Sequence, residues 1–241
     1  MRLSLLALAA ASCATGLALF DDDRTPGQLH ALAEPVVLFD GTDLDHFNLY
    51  TEDASVDLED VATVADSVLH IAGSPYGYLQ TERWFRDYVL DLEWRWPEGD
   101  DGQPRAGNSG VLVHTTAPFI FYTWPCSLEV QLQAGSAGDF WVIGDDVDIR
   151  VEDEQTRRVA PREGDLHSHR RIRNLTDDSE RELGAWNHMR IEARGDELRV
   201  WVNDELVNHG TACTVQEGAI ALQSEGTPIE FRAIRVTPLE D

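Results

Sequence analysis

The chain has 241 residues, 42% of them hydrophobic, which is enough for one sizeable core and within the range of a single all-β domain. Its formal charge of −25 excludes the basic footprint that nucleic acid binding needs and suits solubility in high salt. All 19 basic residues are arginine, so lysine-based Schiff-base or general-base chemistry and a Walker-type phosphate loop are excluded as well.

Taken in order, the chain opens with Met1-Arg2 and an apolar run ending in small residues, an export signal over residues 1–18 that is too short to span a membrane. Ala-Ala-Ser before Cys13 resembles a degenerate bacterial lipobox. Cleavage before Cys13 would leave a lipidated, membrane-attached N-terminus, and cleavage near Ala18 is the competing outcome. Either way the protein is expected to be exported: periplasmic, an envelope lipoprotein, or extracellular. In such a compartment Cys126 and Cys213, the only pair the mature chain offers, are free to bond if they lie close enough. Residues 19–35, with Asp21-Asp22-Asp23 and Pro26-Gly27, read as a linker, and the folded domain is expected over 36–241.

Val36 to Phe39 ends in a Gly41 turn and predicts a first strand, Leu44 to Leu49 a second apolar patch, and the acidic run from Glu52 to Asp60 a solvated loop. Ser67 to Ile71 predicts another strand. Tyr88 to Trp96 alternates cleanly: Tyr88, Leu90, Leu92, Trp94 and Trp96 form a core face, with Glu93 and Arg95 on the opposite face, which is either solvent or a binding surface. Further strands are predicted through Gly110–His114, Ser127–Gln133, Phe140–Ile143, Met189–Ala193, Leu198–Val202, Gly218–Gln223 and Ile229–Val236. Strands at roughly 8–12 residue spacing with almost no helical period indicate an all-β, two-sheet jelly-roll sandwich. The segment from Arg150 to Arg181 stands apart, holding eight arginines, eight acidic residues, and His167 and His169. It reads either as a surface excursion laced with ion pairs or as an inserted loop in which the two histidines bind a metal.

The stretch from Asn108 to Gln133 carries the chemistry. If Val111 and Val113 face a core, strict alternation puts His114, Glu129 and Gln131 on outer faces that could belong to one sheet surface. A histidine and a carboxylate with amides beside them are general acid/base equipment, and an ordinary solvated strand face is the plainer reading of the same pattern.

Several fragments occur in register from Leu38 to Leu239: Phe39-Asp40-Gly41 with Leu44, Gly77-Tyr78-Leu79-Gln80-Thr81, Asn108-Ser109-Gly110-Val111, Glu129-Val130-Gln131, Gly184-Ala185-Trp186-Asn187, and Leu222-Gln223-Ser224-Glu225-Gly226 before Ile229-Glu230-Phe231-Arg232. Together they resemble the 3-keto-disaccharide hydrolase domain family. The resemblance implies a concanavalin/laminarinase-like sandwich whose concave face holds a sugar, and cleavage of glycosides already oxidised at sugar carbon 3. The ketone acidifies the hydrogen on carbon 2, so a base removes it, the aglycone leaves by β-elimination, and water adds to the unsaturated sugar. Ordinary glycosidases work differently, through two carboxylates and an oxocarbenium ion. On this reading His114 is the base or, if a divalent metal polarises the ketone, a metal ligand with His167 and His169 as further candidates. Glu129 is its acid/base partner. Glu93, Arg95, Asn108, Gln131, Trp201 and Glu225 are the expected substrate-binding residues. Many family members have arginine where His114 stands and histidine where Glu225 stands, so this chain exchanges the roles of acid and base. The sequence carries no cofactor motif, so a separate sugar 3-dehydrogenase would have to supply the ketone. A non-catalytic carbohydrate-binding module on the same fold, with Trp141 and Trp201 as platforms, and an envelope structural protein are the alternatives.

Overall fold

The computed structural model describes residues 34–116, 123–160, 170–176 and 178–239. The expected export signal, Cys13, most of the linker, His167 and His169 lie outside them. In chain order the elements are β1 (Val36–Phe39), β2 (Phe47–Thr51), α1 (Leu58–Val61), β3 (Ala62–Ala65), β4 (Val68–Ile71), β5 (Gly77–Thr81), β6 (Tyr88–Arg95), β7 (Gly110–Thr115), β8 (Ser127–Gln131) and β9 (Phe140–Ile143). The second half holds β10 (Arg150–Val151), α2 (Glu154–Arg157), β11 (Arg170–Ile172), β12 (Asn187–Arg194), β13 (Glu197–Val202), β14 (Glu205–Thr211), β15 (Ala219–Ser224) and β16 (Ile229–Pro238).

These strands build two antiparallel sheets. One runs β10-β14-β13-β12-β6-β16-β4-β3 with β1 also paired to β16, and the other runs β11-β9-β8-β7-β15-β5-β2. The alternation in β6 holds: Tyr88, Leu90, Leu92 and Trp94 are fully buried between the sheets, while Asp91, Glu93 and Arg95 turn outward. β12 and β13 repeat the pattern, with Met189, Ile191, Ala193, Leu198, Val200 and Val202 inward. From the opposite sheet Val111, Val113, Leu128, Val130, Phe140 and Leu222 complete one continuous core. Period-two sequences whose inner faces meet in this way form a sandwich.

The two sheets differ on their outer faces. The larger sheet shows water an ordinary polar surface, whereas β7, β8 and β15 are buried on both faces. A second, smaller apolar cluster of Tyr78, Leu112, Trp124, Ile143 and Ala221, flanked by Tyr50 and Trp141, covers the outer face of the seven-stranded sheet. Glu129 stands on that covered face and is 5% exposed, so the solvated-strand reading of this region does not hold.

His114 departs from the predicted parity. Leu112 pairs with Ala221 and Thr115 with Ala219, so β7 holds one residue more than β15 across this step, and His114 takes up the excess in a left-handed conformation at φ 56°. Such a bulge re-aims a side chain. The ring turns inward, edge-on to Tyr88 of the other sheet at 5.7 Å, with Nδ1 3.0 Å from the carbonyl oxygen of Val215. His114 and Glu129 therefore do not share a face.

Other differences are local. The acidic run expected as a loop contains α1, where the Asp57 and Asp60 side chains form a reciprocal capping box. The polar strand β14, missing from the sequence reading, pairs along β13, and the Arg150–Arg181 excursion contributes β10, α2 and β11. Cys213 is a free, buried thiol, so the Cys126–Cys213 bond is not formed. No helix among the described residues is long and apolar enough to cross a membrane.

Burial lowers the His114 pKa to about 4, against a smaller raising effect from its bond to Val215. A histidine depressed in the folded state stabilises the fold above its unfolded pKa of about 6.5, and that contribution is lost as pH falls towards 4. His114→Asn, which tolerates the left-handed backbone, should flatten the acid limb of the unfolding free energy between these values; an unchanged limb in urea titrations would contradict this.

Candidate active site

Antiparallel register sorts the outer face of the seven-stranded sheet into rows. One row runs Arg171, Trp141, Glu129, Leu112, Ala221, Gln80. In the next, Gln131 pairs with Gly110, and Gln223 pairs with Tyr78, which pairs with Tyr50. Gly110 links the halves of this second row: a Cβ there would come 2.5 Å from Gln223 Oε1 and 2.8 Å from Glu129 Oε1. Glycine is required because two functional side chains already fill that space. Continuing the pairing past the ladder ends brings Asn108, Glu225 and Tyr76 into a third row.

Gln223 Nε2 donates to Glu129 Oε2 at 3.5 Å. Around this pair, Asn108 Oδ1, Gln223 Oε1 and Glu225 Oε2 are buried and have no partner among the described residues. Unpaired buried acceptors are costly. Three of them on adjoining strands make a surface that calls for a ligand rich in hydroxyl donors.

The carboxylates are held towards their neutral forms. Burial, and then the charge of Glu225, pushes the Glu129 carboxyl well above the ordinary range, against the bond from Gln223 and the charge of Arg171. Burial pushes Glu225 up to about 7. Asp139, which accepts from Arg171 Nε at 2.8 Å and from the Asn174 backbone N–H at 2.7 Å, is raised chiefly by its burial. Arg171 also lies 5.7 Å over the Trp141 ring, fixing the cation at this end of the site. At the opposite end the Tyr50 and Tyr78 rings stack at 5.2 Å, and Thr123 donates to Glu52 at 2.9 Å, bringing the segment with Trp124 across the sheet.

Glu129, Gln131, Asn108 and Glu225 thus come together on one face, although Gln131 spends its side-chain oxygen on the Leu132 and Gln133 backbone N–H groups. Glu93, Arg95 and Trp201 do not join them. All three stand on the outer face of the nine-stranded sheet, across the sandwich from Glu129. There Glu93 pairs with Arg232, Arg95 pairs with Glu230 at 2.5 Å, and both guanidiniums stack on Trp186, Arg95 at 4.6 Å and Arg232 at 4.1 Å. The parity of each strand was legible, but which face each sheet turns inward depends on the partner sheet. Gln223, Gly110, Asp139 and Arg171 were missed as site residues; the alternation of Gln223 with Leu222 was the available signal for the first. No group of three His, Cys, Asp or Glu side chains able to hold a metal ion occurs among the described residues.

A carboxylate raised on folding destabilises the fold as pH climbs. The Glu225 contribution is fully present below pH 4.5 and is lost as pH rises through about 7. Glu225→Gln should therefore match wild type at pH 4 and exceed it at pH 8 by roughly 1–3 kcal/mol. Denaturation curves at the two pH values check this, and equal differences at both would refute it.

The sequence matches the model of the 3-keto-alpha-glucoside-1,2-lyase-like domain over residues 34–237. A search of curated proteins finds no match. Among solved structures, a Parabacteroides distasonis protein provisionally assigned as a glycosyl hydrolase is 21% identical at a TM-score of 0.57, covering 86% of this chain and 100% of that one. The carbohydrate-binding module CBM66 of Bacillus subtilis is 10% identical at 0.52, covering 73% and 90%. The Bacillus licheniformis β-glucanase is 7% identical at 0.51, covering 85% and 97%. At such identities these likenesses are of fold, a concanavalin-like sandwich on which cleaving and binding sites are both built. The match over residues 34–237 goes further: the chain belongs to the 3-keto-alpha-glucoside-1,2-lyase-like, or 3-keto-disaccharide hydrolase, domain family.

Proposed function

We propose that this carbohydrate-active domain cleaves 3-keto glycosides or 3-keto disaccharides by β-elimination and hydration, with Glu129, Gln223 and Glu225 as its acid–base centre. The observation that carries the reading is the pair of buried, mutually interacting carboxyls among unpaired acceptors on one sheet face. Glu225, ionised in part at neutral pH, takes the proton from carbon 2. Glu129, kept neutral, donates a hydrogen bond to the carbon-3 oxygen as it becomes an enolate, in the manner of buried carboxylic acids that stabilise oxyanions. When the enolate electrons form the carbon 1–carbon 2 double bond, the carbon 1–oxygen bond breaks, and the leaving oxygen takes the proton held by Glu225. Water then adds across the double bond, hydroxyl to carbon 1 and hydrogen to carbon 2, giving net hydrolysis. The free acceptors of Asn108 and Gln223 suit the remaining sugar hydroxyls. The N-terminal segment favours action outside the cytoplasm, with lipidation at Cys13 as its membrane-attached form, on substrate oxidised by a separate sugar 3-dehydrogenase.

Release of nitrophenol from nitrophenyl 3-keto-glucoside tests the proposal, run with and without chelator so that dependence on a divalent ion is read as well. Glu225→Gln is expected to lower kcat/KM about 10³-fold. In wild type kcat/KM should rise with pH through about 7, as Glu225 ionises, and fall at higher pH where Glu129 gives up its proton. Glu129→Gln, which keeps a hydrogen-bond donor, should lose that alkaline limb. Gly110→Ala, by displacing Gln223 and Glu129, should cost about 10²-fold. Absence of release alongside intact sugar binding would sink the enzyme reading and leave a carbohydrate-binding module.

A further inference from the structure

We propose that Tyr76 is the leaving-group platform of this site and that the preferred substrates are 3-keto glycosides of aromatic aglycones. This rests on the reaction assigned above, which fixes the direction in which the substrate lies. The carbon-3 oxygen belongs at Glu129 and the carbon-2 hydrogen at Glu225, so carbon 1 and its aglycone extend beyond Glu225, away from Glu129. The next position in that direction is Tyr76. Its ring edge lies against Gly226, the neighbour of Glu225: a Cβ on Gly226 would stand 3.1 Å from the Tyr76 hydroxyl oxygen and 3.4 Å from Cε1.

The platform is held in place on both sides. The Gly226 backbone N–H donates to the Gly73 carbonyl at 2.6 Å, and Ser224 Oγ donates to the Pro75 carbonyl at 2.9 Å, so the turn before β5 is tied to the strand that carries Glu225. Trp124 backs the tyrosine, with ring centroids 6.3 Å apart and an interplanar angle of 26°. Yet Tyr76 is 55% exposed, an anchored aromatic ring with an open face at the rim of a largely buried site. Its neighbours Gly226 and Trp124 offer apolar surface, while the unpaired acceptors of Asn108 and Gln223 stand on the Glu129 side of Glu225. A second sugar would need such acceptors around it. A flat aromatic aglycone needs π surface, and an exposed rim lets it depart into water.

Two measurements test this. The first compares kcat/KM for nitrophenyl and methyl 3-keto-glucosides in wild type, Tyr76→Ala and Tyr76→Phe. The second compares calorimetric affinities for phenyl and methyl glucosides not oxidised at carbon 3, which cannot undergo the elimination. Wild type should favour the aryl compound in both, by about tenfold in affinity. Tyr76→Ala should bring the affinity ratio close to one and lower the kcat/KM ratio by about tenfold, to what the better leaving group alone gives, without changing its melting temperature, and Tyr76→Phe should keep both wild-type ratios. Wild type without aryl preference, or Tyr76→Ala losing equally on both compounds, would overturn the platform. If wild type cleaves neither 3-keto substrate while the affinity ratio behaves as expected, the assigned reaction fails and the aryl-binding platform stands.

Discussion

A carboxylate on a β-strand costs little where its face meets water and much where a second layer of side chains covers it. Glu129 is the second case: it is 5% exposed on a face where Leu112, Ala221, Tyr78 and Ile143 of the same sheet form a buried apolar cluster with Trp124. Desolvation disfavours the charged form, and a neighbouring carboxylate disfavours it further. Both act on Glu129, while Glu225, nearer the rim, is affected less and titrates at about 7. Two chemically identical groups are thereby given different protonation states at neutral pH, the arrangement that separates an acid from a base. The site's chemistry follows from how deeply each group is buried.

The other sheet shows what the same residue types do without that cover. On its outer face Glu93, Arg95, Glu230 and Arg232 form ion pairs and share Trp186, and Glu192, Glu197 and Arg199 form a second group nearby. Apart from Glu230, which is 6% exposed, these side chains stay partly exposed, and such exposed pairs contribute little beyond order in the surface. With a net charge of −25, they also take some of the chain's acidic excess into local balance. Charged residues alternate with apolar ones on both sheets, so the pattern of charge does not separate the two faces.

Backbone geometry sets the precision of the site. At Gly110 the missing side chain lets Gln223 and Glu129 meet across β7, and at His114 one residue in the left-handed region diverts an imidazole from the outer face into the core. The diverted ring packs against Tyr88, and Gly218 passes so close to the backbone of this bulge that its own Cβ would come 2.4 Å from the His114 carbonyl carbon. A bulge changes the face of the residues around it without changing their composition.

Most of the architecture was legible from local pattern. The alternation in Tyr88–Arg95 and Ser127–Gln131, the turn residues between strands and the ordered fragments from Phe39 to Arg232 point to a two-sheet jelly roll, because strand periodicity and turn chemistry are properties of neighbouring residues. The sequence also determined that Glu129 and Gln131 share a face, since parity within a strand is fixed by the pleat. Tertiary structure alone decided the rest. Glu93 and Arg95 have the same alternation as Glu129 but belong to the other sheet; His114 follows the pattern in sequence and breaks it in space through a single φ. Cys213 stays unpaired, and Gln223 and Glu225 reach Glu129 from a strand about ninety residues away. Periodicity says which residues share a side of a strand. What covers that side is decided by strands distant in the chain, and the cover is what converts a polar residue into a titrating group.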